Sequence, residues 1–386
     1  VDSREIEGQD MDTLELGHLD ELIEGLVILG TGGGGDPILG RLLLENDLLR
    51  GRYVKIVDYL SVPDEAFVAT GGLIGSVTSR LKYSPQELVD RWENCFELER
   101  AFDLLEKATG KTIDYIVPFE LGGSNMPIFL SLGARTGRNV INGDGLGRAA
   151  PETHMVSFHG YGVALTPMAL IDFEGDEVVI KHQNDHNFAD SVSRFIVTRW
   201  GGKGANAHHM MTGAELKKSV IPNTFTKAIE LGKAVIHARN VPLGDPIQAV
   251  VDSLGGWRIC SEKILQIKEE NWEGFYYTTV KLTGGYVIQI KNEAMALFVG
   301  NKLLTIFPDL ICMLDSRTAQ GLLSKELCPG MDVTVIVAPC HERLRSALTT
   351  SEGIAAFSPT NFGMPGFHNV PVDSLLRDWT EGLIRI

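Results

Sequence analysis

The chain has 386 residues, 44% hydrophobic and 22% charged, with a formal net charge of −15. That length supports a large core and two domains. The acidic balance, with no Lys/Arg run to offset it, excludes attraction to nucleic acid or to an anionic membrane surface.

No apolar stretch approaches the roughly 18 to 20 residues of a membrane span. The five cysteines, Cys95, Cys260, Cys312, Cys328 and Cys340, are scattered and contain no CxxC. They fit a reducing compartment rather than a disulfide scaffold.

Residues 1–18 read as an acidic lead-in. They lack a basic segment followed by an apolar one, so a signal peptide is not expected and a cytoplasmic protein is. Residues 18–25 predict one or two helical turns. The apolar run Leu26, Val27, Ile28, Leu29 predicts a short buried strand. Gly30, Thr31, Gly32, Gly33, Gly34 and Gly35 follow, then Asp36 and Pro37, a helix N-cap and first-position residue. A strand, glycine turn and helix in this order would aim backbone N–H groups and the positive helix end at one spot, suited to an anion or a carbonyl oxygen. Gly32, Gly33, Gly34, Gly35 and Asp36 are therefore candidate substrate-binding residues. The dinucleotide pattern GxGxxG also lies over Gly30, Gly32 and Gly35, with Asp58 ending the next apolar run, so NAD binding is an alternative. No Lys-Ser/Thr pair follows the glycines, which excludes a Walker loop.

Strands are predicted at 53–58 and 67–72. A helix is predicted at 84–110, with Pro85 near its start and an apolar face of Leu88, Val89, Trp92, Phe96, Leu98, Phe102 and Leu105. A strand at 113–118 runs into Glu120 and Asn125. A helix at 126–137 precedes a strand at Val140 and Ile141, which runs into Asp144 and Arg148. The alternation predicts an N-terminal α/β domain over 19–170 with a doubly wound, mostly parallel sheet, its glycine turns converging on one rim. Residues 171–386 predict a C-terminal α+β domain. It holds a hairpin about 174–176, a helix at 189–200, a loop through GGKGANAHHM and a helix at 222–237. From about 259 the text becomes a run of short strands, a mainly antiparallel β subdomain. This unit, with the polar segment 361–369, is expected to close over the rim.

The rim gathers Asp36, Glu120, Asn125, Asp144, Arg148 and Glu152. Two or three carboxylates in one place suit acid/base catalysis or a hard divalent ion. Glu120, Asp144 and Glu152 are the candidate catalytic residues. Asn125 and Arg148 are candidate substrate ligands, the latter offering a fixed positive fork. Asp144, flanked by Gly143 and Gly145, is expected to matter most and to share the ligand site with Gly33. The competing reading makes Asp144 and Glu120 turn and helix caps. His208 and His209 are adjacent, and on a strand would face opposite sides, so only one could reach a given ion. His154 with His159, and His182 with His186, are further pairs. Cys340-His341 lacks a visible third group, and no GxSxG marks a serine hydrolase.

Three motifs in order, GTGGGGDP, VPFELGGSN and NGDGLGRAAPE, are joined by GYGVALTPMALID, QIKNEAMAL, FPDLICMLD and AAFSPTNFGMPGFHNVPVD. Together they resemble the family long labelled domain of unknown function 917, now the S-methyl thiohydantoin desulfurase family, over about residues 19–373. The resemblance implies an α/β N-terminal domain, a β-rich C-terminal domain and an association with hydantoinase- and oxoprolinase-type proteins. It also implies hydrolytic removal of a methylthio group from an S-methylated thiohydantoin, leaving the hydantoin. The family's usual Asp-x-Asp-Gly reads Asn142-Gly143-Asp144-Gly145 here, which bears on any metal held by both carboxylates. The expected protein is thus a hydrolase acting on a small cyclic amide, assembled from identical copies, with a divalent metal as the candidate cofactor. A non-catalytic partner of a hydantoinase-type enzyme and a nucleotide-binding oxidoreductase are the rival readings.

Overall fold

The structure, a computed structural model, describes residues 13–75, 83–185 and 187–377. Most of the acidic lead-in, and His186, therefore lie outside the described residues. Helix α1 (Leu19–Leu29) opens the fold, followed by α2 (Pro37–Leu49), β1 (Ile56–Val57) and β2 (Phe67–Gly75). Helices α3 (Pro85–Arg91) and α4 (Glu97–Thr109) come next, then β3 (Tyr115–Ile116), α5 (Asn125–Thr136), β4 (Asn139–Ile141) and β5 (Gly143–Asp144). The chain continues through α6 (Ser157–Gly160), β6 (Met168–Ile171), β7 (Glu177–Ile180), α7 (Phe188–Arg199) and β8 (Lys203–Thr212). Helix α8 (Gly213–Ser219), β9 (Ile221–Pro222), α9 (Thr224–Asn240) and α10 (Pro246–Leu254) complete this part.

These strands build a mixed seven-stranded sheet in the order β1-β4-β3-β2-β8-β6-β7. The β1, β4, β3 and β2 side is parallel, and β8, β6 and β7 join antiparallel. The N-terminal unit is thus α/β as expected, but its sheet runs past residue 170, because β7 and β8 belong to it. The C-terminal sheet consists of β10 (Trp257–Trp272), β11 (Phe275–Leu282), β12 (Tyr286–Lys291), β13 (Glu293–Val299), β14 (Lys302–Ile306), β15 (Leu310–Asp315) and β16 (Asp332–Ala338). It is antiparallel throughout, in the order β14-β13-β12-β11-β10-β16-β15, and curls into a half-barrel. Strand β10 turns the corner. Its first half pairs with β16 and its second half with β11, with a register break inside each ladder. The half-barrel encloses an apolar core that includes Ile264, Val280, Ile288, Leu297, Ile311 and Val335.

Three expectations are corrected. The run Leu26–Leu29 is the last turn of α1 and not a strand. Leu19, Leu22, Leu26 and Leu29 are all buried at helical spacing, and α1 packs on α9 through two glycines. Gly25 rests on the backbone of Ala228, and Gly232 on that of Glu21, where a Cβ would collide. A short apolar run carries no periodicity of its own, so tertiary packing decided its state. The helix expected at 84–110 is two, broken between Arg91 and Glu97, with Gly110 ending the second in a left-handed turn at φ +68. The segment GGKGANAHHM is largely strand β8, central in the sheet. Its small residues suit that place, because Gly71 of β2 lies against the Asn206 carbonyl.

The glycine loop is the joint between the two units. Its carbonyls accept N–H bonds from both: Gly34 from Ser124 and Asn125 at 3.1 and 3.2 Å, Thr31 from Ala294 at 3.0 Å, and Gly32 from Ser324 at 2.7 Å. Gly34, at φ +79, touches Gly122 backbone to backbone, so neither position has room for a side chain. Gly34→Ala should therefore destabilise far more than Gly51→Ala, whose glycine has a similar φ of +72 but open space around it. The second variant should lose only the left-handed penalty of about 1–2 kcal/mol. Denaturant unfolding of both variants checks this, and equal losses would show that the close approach contributes nothing.

Candidate functional site

Around this joint lies a cleft of about 150 Å³, lined by Gly34, Gly35, Asp36, Glu120, Ser124, Asn125, Glu152, Arg194, Lys203, Asn206, His208, Asn292 and Glu293 among others. Its floor is the turn after β3. Glu120 is buried there, its Oε1 accepting the Asn125 side-chain N–H at 2.5 Å and its Oε2 the Ala150 backbone N–H at 2.6 Å. Opposite stands Glu293, at the tight corner between β12 and β13. Asn292 makes that corner with φ +59, and its side chain accepts the Tyr276 N–H at 2.9 Å. Glu293 lies directly over Gly33 and accepts the Gly34 N–H, and its Oε2 is buried with no protein partner.

Burial dominates the electrostatics of this pair. Desolvation, and then the charge of Glu293, raise the Glu120 carboxyl well above its ordinary range. Desolvation pushes Glu293 up to about 7 against the pull of Arg148 and Arg194. Two buried acids facing one cleft with raised pKa values hold a proton near neutral pH, and they titrate as a pair.

Glu152 lines the same cleft in a buried ion pair with Lys291 and lies 3.5 Å from His154 Nε2. Lys291 also donates to the Asn361 carbonyl at 2.7 Å and sits over the Phe275 ring at 3.9 Å. Of the late polar segment, residue 361 meets the Glu152–Lys291 pair, while Asn369 donates to the Phe307 carbonyl at 2.7 Å. Arg194 is anchored by Asp190 at 2.8 Å.

Four of the expected site residues stand behind the cleft wall. Gly32 and Gly33 pack against Ser324 and Glu293. Asp144 is fully buried on the β5–β9 ladder, accepting the Leu146 N–H at 3.0 Å and the Gly147 N–H at 2.8 Å. It is an Asx-turn residue. Arg148 is fully buried over the Phe307 ring and gives its N–H groups to three carbonyls, of Ala149, Asp309 and Ala294, at 2.9, 2.7 and 2.8 Å. It clamps the half-barrel to the N-terminal unit, with no donor turned to a ligand carboxylate. Gly34, Gly35, Asp36, Glu120, Asn125 and Glu152 do meet at the cleft. Asp36 caps α2, its Oδ1 accepting the Ile38 N–H at 2.9 Å. Because a helix rather than a strand precedes the glycine loop, the geometry of a dinucleotide turn is absent.

The residues also fit the expected metal poorly. Asn142 is tied to Thr226 at 2.7 Å and Asp144 to its own turn. Among the described residues no group of three or more His, Cys, Asp or Glu side chains is arranged to hold an ion.

The histidines show why alternation failed. His209 takes φ +44 at a bulge opposite β2, so its ring folds to the same side as that of His208, with their Nδ1 atoms 2.7 Å apart. Burial pushes His208 down to about 3 and His209 well below its usual value, so both are neutral. His154 and His159 meet edge to face nearby, while His182 bonds Asn184 at 3.0 Å. His341 caps its own helix, α11 (Glu342–Ala347), and burial raises the Cys340 thiol, so the two do not form a dyad.

Sequence models place residues 17–182 in the S-Me-THD-like N-terminal domain and residues 183–372 in the S-Me-THD-like C-terminal domain. The chain belongs to the S-Me-THD-like family. An X-ray structure of a protein from Chromobacterium violaceum matches this S-Me-THD-like chain with a TM-score of 0.69 at 21% identity, over 93% of this chain and 99% of that one. The likeness concerns the fold. No curated protein matches the chain significantly. No helix among the described residues is long and apolar enough to cross a membrane.

Glu293, Lys203, Asn206 and Arg194 were missed as site residues from sequence, and His208 was weighed only as an ion ligand. The signal for Glu293 was legible: Lys291-Asn292-Glu293 interrupts two apolar strands, YVIQI and AMALFV, and charge inside such text marks a polar site.

Burial pushes Asp144 up to about 7 from an ordinary 3.8. Its protonation therefore stabilises the native state at low pH, and that contribution is lost as pH rises through about 7. Asp144→Asn should keep its activity per folded molecule. Its Tm should gain on wild type between about pH 5 and pH 8. Turnover lost with stability unchanged would return Asp144 to the chemistry.

Proposed function

We propose that this S-Me-THD-like protein hydrolyses a small cyclic amide of the S-methyl thiohydantoin class. The observation that carries the reading is the pair of buried carboxyls, Glu120 and Glu293, facing one small cleft with burial holding a proton on them. Such a pair offers an acid and a base at once.

In the proposed reaction the protonated carboxyl gives its proton to the ring nitrogen while the ionised one takes a proton from water. The hydroxyl adds to the ring carbon that bears sulfur. As the adduct collapses, the newly protonated carboxyl gives its proton to sulfur and the other takes the remaining hydroxyl proton. The carbon–sulfur bond breaks, a carbonyl forms, and methanethiol leaves the hydantoin. The pair ends with the single proton it began with. The Asn125 and Ala150 N–H groups hold Glu120 in place, and Gly34 does the same for Glu293.

Methanethiol release from an S-methyl thiohydantoin tests this directly. Glu120→Gln and Glu293→Gln should each lower kcat/KM by at least about 100-fold, the scale of a general acid or base. In the wild type, kcat/KM should rise as pH rises through about 7, where Glu293 loses its proton and the pair keeps the single one on Glu120. Full turnover in both variants would refute the assignment.

A further inference from the structure

Strand β8 brings an imidazole to the cleft that the acid pair does not use. His208 lines the cleft and is fully buried, and its Nε2 has no partner among the described residues. On a regular strand its neighbour His209 would point to the opposite face. The break in register with β2 and the φ of +44 at His209 turn that ring back, and its Nδ1 meets that of His208 at 2.7 Å. The Nε2 of His209 is likewise buried with no partner among the described residues.

A neutral imidazole carries one N–H, on one nitrogen or the other. Burial keeps both of these rings neutral. Two Nδ1 atoms at hydrogen-bond distance therefore share one proton. One ring donates from Nδ1 and keeps a bare Nε2, while the other accepts at Nδ1 and carries its own proton on Nε2. Of the two rings, His208 is the one that lines the cleft. A carbonyl oxygen accepts and never donates, so a bound cyclic amide selects the arrangement with a proton on His208 Nε2. We propose that His209 holds His208 in this form, and that His208 donates its Nε2–H to the ring carbonyl that the reaction leaves untouched.

The surroundings agree. Phe119 stands edge to face with His208, the ring centres 5.4 Å apart, and it directly precedes Glu120. The turn that places the acid thus also seats the imidazole. Phe158 and His159 flank His209, each with its ring centre at 6.2 Å, and keep that ring against its partner. Two other neutral donors of the cleft are already committed, Asn125 to Glu120 and Thr153 to Asp190. A neutral N–H also fits the role. It steadies a carbonyl oxygen while its proton stays on the imidazole, so the proton transfers are left to Glu120 and Glu293.

This contact rests on the ring-hydrolysis reading, and calorimetric titration of the full-length protein separates the two. The probes are hydantoin and imidazolidin-2-one, the same ring without the second carbonyl. The wild type should bind hydantoin more tightly by at least about tenfold, the scale of leaving one buried hydrogen-bonding group unpaired. His208→Phe should lose that preference while still binding imidazolidin-2-one. His208→Gln, whose amide nitrogen can stand near the place of Nε2, should keep most of it. Nitrogen-15 spectra of the hydantoin complex should show the proton of His208 on Nε2 and that of His209 on Nδ1. Equal binding of the two rings by the wild type, an undiminished preference in His208→Phe, or the reverse pair of protonation sites overturns the contact and leaves the ring reading standing. If His208→Phe binds neither ring, His208→Gln decides in its place, and a lost preference there overturns the contact. Binding of neither ring by the wild type overturns the contact, and the absence of methanethiol release besides overturns the ring reading.

Discussion

The structure depends on the contact of Gly34 with Gly122, where two backbones meet with no side chain between them. This contact lets the loop after α1 reach into the turn after β3 while its outer edge engages β13. The Gly34 carbonyl holds the start of α5, and the Thr31 carbonyl holds Ala294, the residue after Glu293. A single stretch of chain thus fixes two acids that lie far apart in sequence and in different sheets. Arg148 reinforces the arrangement from behind, its guanidinium spanning carbonyls of both units. The glycines serve proximity here. Their carbonyls, more than their N–H groups, do the binding.

Placing carboxyls in such a joint has an electrostatic consequence. Without water, the charged form of each acid is disfavoured, and the second acid disfavours it further. The N–H groups of Asn125, Ala150 and Gly34 offset part of this and orient the oxygens. His208, which lines the cleft, and His209 behind it add no compensating charge, because burial keeps them neutral. The cleft is left with a proton retained on its acids.

Much of the architecture could be read from the residues. Helix α2, with Asp36 and Pro37 at its start, and the hairpin of β6 and β7 carry local signals that tertiary contacts did not override. So does the β-rich C-terminal half. Leu26–Leu29 carried no such signal, and packing of α1 on α9 decided it. Strand β8 was hidden because Gly, Ala and Asn are poor strand formers, and only the close approach of β2 makes small residues an advantage there. At the site, Glu120, Asn125 and Glu152 were legible because they follow predicted elements on one rim. Asp144 and Arg148 looked equivalent to them, and the difference is one of direction. Both side chains turn inward to backbone groups, which no spacing rule reveals. Glu293 came from a different sheet, and the sequence pattern alone could not bring it to the rim.

The central claim is that the Glu120–Glu293 pair keeps a proton at neutral pH. An infrared titration of the carboxyl stretch, taken as the difference between wild type and a double variant carrying Glu120→Gln and Glu293→Gln, reads that proton without any substrate. A protonated carboxyl band that persists above the ordinary glutamate pKa of about 4.3 and is still present at pH 7 agrees with it. A band already lost by about pH 5 would show that both acids are ionised in the resting protein, and the acid–base pair would have to be abandoned.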